Sequence, residues 1–391
     1  MKVGGEVTEV VRVEAFRVDL PVVKQLVFAS GTAGPVGSTA AHIYVKLTDS
    51  EGRVGWGEGR PSPGWSYETP ESVISTIQRY LGPQTLGLPI TDRRGLQRRM
   101  HEVIGQGPST GQPVAKCAID MALHDLAARA AGLTLRAFLG GGDDLSDVAL
   151  SYTLTAHDPA SVRDDVAKGS AAGFTRFNYK LGVRPEADVA VANAIRDAAG
   201  PEAFVWGDAN QSVPPAHARR LAESLVAAGT DVLEQPFRAD AAHLMPELRR
   251  STTLALALDE STVSATDLLL AVIDGAADFF VIKLARTGGI WPTCQQLAIA
   301  EAAQLGVLVS GLTESMLAKV AACQVAAAAG CAGPAGLNGS QFVADTDIFP
   351  DKDGVEHAGV VHLGTTPGIG IEPDEPALRS LARESVLVDS R

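Results

Sequence analysis

The chain has 391 residues, 46% of them apolar, enough for a large core and more than one ordinary domain needs. Its 46 acidic residues against 33 basic ones give a net charge of −13, which argues against nucleic acid or an anionic membrane as partner. No apolar run approaches membrane-spanning length, no apolar leader opens the chain, and the four cysteines are scattered without CxxC spacing. A cytoplasmic protein with reduced, buried thiols is expected.

Residues 7–18 read as a strand and 21–38 as a loop rich in Gly, Ser and Thr. Residues 41–47 and 54–58 form a hairpin that turns at Asp49-Ser50-Glu51-Gly52. From Thr69 the apolar period becomes helical, over 69–81, 92–104 and 113–131, and the last helix stops at Gly132. Strands followed by helices describe a separate α+β domain over residues 1–142, ending at Gly140-Gly141-Gly142 and Asp143-Asp144.

From there strand-length apolar runs alternate with Ala/Leu-rich helical stretches. The first strand spans 148–154 and its helix 159–173. Five successive runs then end in a charged residue: Lys180, Asp208, Glu234, Asp259 and Lys283, at intervals of 24 to 28 residues. That spacing is the period of βα units, so residues 143–341 read as a (β/α)8 barrel with parallel strands. The seventh strand is 306–310, and the eighth is faint, near 334–338. The tail, 342–391, is rich in Pro, Gly and Asp and ends in a short helix over 375–383 that returns to the first domain.

In such a barrel strands two and six lie opposite each other, while three, four and five are consecutive on one wall. Asp208, Glu234 and Asp259 therefore converge, and Lys180 and Lys283 face each other across them. Converging carboxylates raise each other's pKa unless a cation joins them. Their hard oxygens suit Mg2+, or Mn2+ in its place. The bland alternative, each acid paired with its own Lys or Arg, accounts less well for three acids at matching strand tips. A lysine on each side of a metal-bound carboxylate is suited to moving the α-proton. Schiff-base chemistry at a lysine is the competing use, and it leaves the three acids without a role.

The motifs Asn178-Tyr179-Lys180-Leu181-Gly182, Asp208-Ala209-Asn210-Gln211, Leu233-Glu234-Gln235-Pro236, Asp259-Glu260-Ser261 and Lys283-Leu284-Ala285-Arg286-Thr287-Gly288-Gly289 resemble the enolase superfamily. They are closest to its muconate lactonizing enzyme subgroup. The resemblance covers nearly the whole chain, including 113–141, which is similar to the family's capping domain. It implies Asp208, Glu234 and Asp259 as Mg2+ ligands, Lys180 and Lys283 as the acid/base pair, a small carboxylic acid as substrate, and a homo-oligomer. The strand-seven His of the mandelate racemase subgroup has no counterpart, because no His occurs between His243 and His357.

Two positions depart from the family pattern. The first lysine of the usual Lys-x-Lys on strand two is Asn178, which period-two alternation places on the same face as Lys180. Strand eight shows Gly336-Leu337-Asn338 where dipeptide epimerases carry Asp-x-Asp. Asn210 and Glu260 read as neighbours that orient the ligands. Glu314 reads either as an acid near the site or as a cap for the helix that follows. Asp120 and His124 read as structural and Arg286 as a surface residue. The loops over 28–38 and 56–67, with Trp65 and Tyr67, resemble the lid that covers the site in these enzymes. The expected outcome is cycloisomerisation or racemisation/epimerisation. β-Elimination by a dehydratase, or a metal-binding barrel without turnover, are the alternatives.

Overall fold

The fold is that of a computed structural model, which describes residues 7–389 apart from Ser30, Pro108, Ser109, Asp143 and Thr346. Part of the 28–38 loop and of the Asp143-Asp144 boundary thus lies outside the described residues. The strand Val10–Pro21 alternates buried and partly exposed side chains, as a strand with one covered face must. It pairs antiparallel with Thr39–Asp49, which pairs in turn with Val54–Gly59. The helix Pro113–Ala131 lies flat on this sheet, and its residues are buried from Pro113 to Ala128. Three alternate glycines allow so close an approach. A Cβ on Gly55, Gly57 or Gly59 would come within 2.4, 2.1 or 2.8 Å of the carbonyl oxygens of Ala122, Ala118 and Val114. The glycine period of two meets the helix period of four, and the helix backbone rests on the strand.

Eight parallel strands form the second sheet, in sequence order from Tyr152–Thr153 to Ala335–Gly336. A bridge between Leu150 and Ala335 closes it, with Ser151 N donating to Ala335 O at 2.8 Å. Among the described residues no helix is long and apolar enough to cross a membrane.

Two elements differ from the sequence reading. The expected first barrel strand, 148–154, is split. Asp147–Ala149 pairs antiparallel with Val360–His362 in a small separate sheet, and only Tyr152–Thr153 joins the barrel. The chain changes partners between them, where Leu150 N donates to Gly359 O and Ser151 N to Ala335 O. The tail does not end at its helix, Glu375–Leu381. The strand Ala382–Asp389 follows and pairs antiparallel with the free edge of Val10–Pro21.

Candidate active site

Register lines up the first three charged residues, and the next two project from the same face further along their strands. Lys180 is opposite Asp208, and Asp208 is opposite Glu234. Glu234 pairs with Ala257, so Asp259, two residues on, projects from the same face, and Lys283 shares that face on the next strand. Two residues earlier on each strand stand Asn178, Trp206, Val232, Ala257 and Val281. The last four form one apolar cluster with Leu308. Asn178 is thus a polar member of the layer beneath the charges, buried, with Oδ1 unpartnered.

The lysines lean onto the outer acids. Lys180 Nζ donates to Asp208 Oδ2 at 2.5 Å, and Lys283 Nζ donates to Asp259 Oδ2 at 2.5 Å. Arg286 Nη1 donates to Asp259 Oδ1, so Arg286 is not the surface residue expected from its sequence but a second cation on that carboxylate. Glu234 lies among them with Oε1 buried and unpartnered. As the side chains stand, no group of three or more His, Cys, Asp or Glu among the described residues is gathered tightly enough to hold a metal ion.

Burial, then the charges of Asp208 and Asp259, push Glu234 well above the usual carboxylate range. Burial works against charge on Lys180 too, but Asp208 and Glu234 outweigh it and hold the ammonium above the ordinary lysine range. Asp259 goes the other way, because Arg286 and Lys283 overcome its burial and keep it ionised.

A second ring of groups fixes the strand tips. Gln235 Oε1 accepts from Asp259 N (2.9 Å) and Ser261 N (3.2 Å), while its Nε2 donates to Phe237 O and Ser261 Oγ. Gln235 thereby ties strand four to strand five. Its motif was visible in the sequence, but nothing there showed that the side chain turns inward to bond backbone. Asn210 N donates to Asp208 Oδ1 (2.9 Å), and Asn210 Nδ2 donates to Glu260 Oε1 (3.3 Å). Glu260 is pushed up to about 7 by burial, then by Asp259.

Trp65 covers this group. Its ring centre lies 5.9 Å from Lys180 Nζ and 5.8 Å from Lys283 Nζ, and it stacks on Phe28 at 5.0 Å. Tyr67, two residues on, is 63% exposed with a left-handed backbone. Asn338 Nδ2 donates to Thr153 Oγ1 (2.6 Å), joining the last barrel strand to the first.

Glu314 is buried and turns back to accept from Leu312 N, so it does not cap the helix Met316–Ala328. That start is held by Glu58, which accepts from Ser315 N, Ser315 Oγ and Ala318 N, and by Asp345, which accepts from Met316 N. Asp120 is structural, as expected. It accepts from Ile290 N and Trp291 N and so joins the helix Pro113–Ala131 to the barrel, while His124 Nδ1 sits 2.7 Å from Asp120 O.

Three carboxylates from consecutive strands, one with an unpartnered buried oxygen and a charge disfavoured by its neighbours, are a donor set that fits a hard divalent cation. A closed parallel barrel with acids and lysines at the carboxyl ends of its strands, beneath a lid from an α+β domain, defines a barrel enzyme. Residues 12–140 match the mandelate racemase / muconate lactonizing enzyme N-terminal domain, and residues 161–377 match the enolase C-terminal domain-like family. The chain belongs to the mandelate racemase / muconate lactonizing enzyme family of the enolase superfamily.

Its likenesses are isomerases. It is 31% identical to a chloromuconate cycloisomerase of Cupriavidus necator, over 88% of this chain and 92% of the relative. The N-succinyl Arg/Lys racemase of Bacillus cereus superposes with a TM-score of 0.89 at 26% identity, covering 97% of this chain and all of that one. A dipeptide epimerase of Cytophaga hutchinsonii, in complex with Mg and D-Ala-L-Val, gives 0.87 at 26% identity, again over 97% of this chain and all of that one.

Proposed function

We propose that the mouth of the barrel removes the proton α to the carboxylate of a small organic acid, with cycloisomerisation, racemisation or epimerisation as the outcome. The observation that carries this reading is the pair of ammonium groups under one indole ring, 5.9 and 5.8 Å from its centre, on opposite strands with three carboxylates between. One lysine takes the proton from one face of the α-carbon, and the other delivers a proton to the opposite face. Asp208, Glu234 and Asp259 would hold Mg2+, or Mn2+ in its place. When bound, the metal supplies the positive charge that stabilises the enolate.

Lysine serves as a base only when neutral. Asp208 and Glu234 now hold the proton on Lys180, so neutralising these acids is what frees it. Asp259, fixed by Gln235 and by Arg286, aligns Lys283. Trp65 and Phe28 keep water from the carbanion.

The relatives named as cycloisomerase, racemase and epimerase support this class of reaction. Strand eight presents Gly336-Leu337-Asn338 without an acid, so a free ammonium on the substrate meets no counter-charge there. An N-acylated amino acid or an unsaturated dicarboxylic acid suits the site better than a dipeptide. The homo-oligomer implied by the family is part of this proposal and is measurable by light scattering.

The direct test is incubation with a panel of such acids in D2O with Mg2+. Deuterium should enter at the α-carbon without loss of water, stop with EDTA, and resume when Mg2+ is restored. Loss of water from the product would instead establish β-elimination. Exchange indifferent to EDTA, or no exchange on any acid, would contradict the proposal.

A further inference from the structure

A second concavity, of about 410 Å3, opens between the helix Arg93–Val103 and two barrel segments, 264–266 and 287–295. Its wall is basic in a chain whose net charge is −13. Arg94, Arg98 and His101 recur at spacings of four and three, which puts them on one face of the helix, and Lys116 joins them from the neighbouring helix. Among the described residues no Asp or Glu lines the cavity.

The helix has four arginines, and two of them have evident structural work. Arg93 stacks on Phe138 and Trp291, and Arg99 donates to the carbonyls of Gln84 and Leu86. Arg94 and Arg98 are exposed and make no hydrogen bond or ion pair with any described residue. Like charges four residues apart disfavour a helix, and within this helix only Glu102, four residues after Arg98, offers the pair an opposite charge. Behind them Lys116 is buried, with Nζ donating to Ile104 O (2.7 Å) and Thr110 O (2.8 Å), which uses two of its three N–H groups.

Glu102, on the same helix, is exposed but does not line the cavity, and two further acids are already engaged. Asp120 accepts from Gln97, Ile290 N and Trp291 N, and Asp267 closes the capping box with Ser264. The start of the helix Ala265–Asp274 is therefore satisfied by its own residues and is not what makes the cavity attractive to anions.

We propose that this concavity binds a phosphate-type oxyanion through the guanidinium groups of Arg94 and Arg98, His101 and the buried Lys116 ammonium. Two planar guanidinium forks suit the oxygens of a phosphate, and a polyphosphate uses both. Thr287 and Gly288 lie on the same wall and directly follow Arg286, so a bound anion clamps the helix Arg93–Val103 to the segment that begins at Lys283. This site is separate from the barrel mouth and does not depend on the reaction proposed there.

The test is calorimetric titration of the whole chain, metal-free and at fixed ionic strength, with inorganic phosphate, pyrophosphate and a nucleoside diphosphate, alongside R94Q/R98Q. Pyrophosphate should bind saturably at one site per chain and raise the melting temperature. R94Q/R98Q should bind it at least tenfold more weakly while melting no lower than wild type without anion, because like-charge repulsion is removed. A nucleoside diphosphate that binds as tightly as pyrophosphate identifies the ligand as a phosphoryl group on a larger molecule. Preference for the inorganic ions identifies the free anion. Equal binding by R94Q/R98Q, or no stabilisation beyond a chloride control, overturns the site.

Discussion

Asn178 and Lys180 show what a single residue does to this site. Both project inward from one strand, two residues apart, and the asparagine occupies the apolar layer below the charges with its oxygen unpartnered. A cation at that position would disfavour the Lys180 ammonium. Asn178→Lys should therefore move the low-pH limb of the α-proton exchange rate down by about one pH unit. A profile that stays in place would show that Lys180 is not the titrating base. Glu68 offers a second residue-scale test, away from the barrel mouth. It accepts from Val114 N and Ala115 N at the start of the helix Pro113–Ala131, yet burial raises its pKa from 4.5 to about 7. The folded state thus binds a proton that the unfolded chain has released between those values. Stability is full below the lower pKa and falls as pH rises through the higher one, by about 3 kcal/mol in all. Urea unfolding across pH should show that slope in wild type and a flatter one in Glu68→Gln. Residue type at a strand tip was readable from sequence, because charge there is rare and its period is fixed. The partner of each charge was not. Arg286 follows Lys283 by three residues, and only the short helix Leu284–Thr287 turns it back onto Asp259.

Among the elements, the helix Met316–Ala328 depends on a residue from the other domain. Glu58, at the end of a sheet strand, accepts three hydrogen bonds from the start of this helix and sits 2.7 Å from His42 Nδ1, fully buried. Glu58→Ala leaves those donors without partners away from water, which should cost about 3 kcal/mol or more. Denaturant unfolding measures it, and a loss below about 1 kcal/mol would mean that water replaces the carboxylate. Adjacency in the chain makes Glu314 one candidate cap for this helix, besides an acid near the site, whereas the acid that does the work is 257 positions away. The two strands that differ from the sequence pattern have the same origin. Residues 148–154 look continuous because their apolar character is continuous, but their partners change at Leu150. The strand Ala382–Asp389 lies on a sheet edge and half-buries only alternate residues, Val386 and Val388 among them. That alternation was the available signal, and it is short and diluted by charge. The strands ending at Lys180, Asp208, Glu234, Asp259 and Lys283 are plain because each is buried on both faces and ends in a single charge.

For the whole molecule, the chemistry depends on two bodies meeting. The barrel supplies the ring of acids and lysines, and the α+β domain supplies the ring of Trp65 above it and the Asp120 and Glu58 contacts that hold the two together. The proposed division of labour has Lys180 and Lys283 working from opposite faces of one α-carbon. It is tested most directly by following α-proton exchange in D2O separately on the two enantiomers of an accepted substrate, with Lys180→Ala and Lys283→Ala. Each variant should lose racemisation by at least 10^3-fold, in line with the loss of a general acid or base. Each should also keep exchange on the one enantiomer whose proton faces the remaining lysine. Full exchange on both enantiomers by either variant, or loss of both by one variant with neither lost by the other, would contradict the two-sided account.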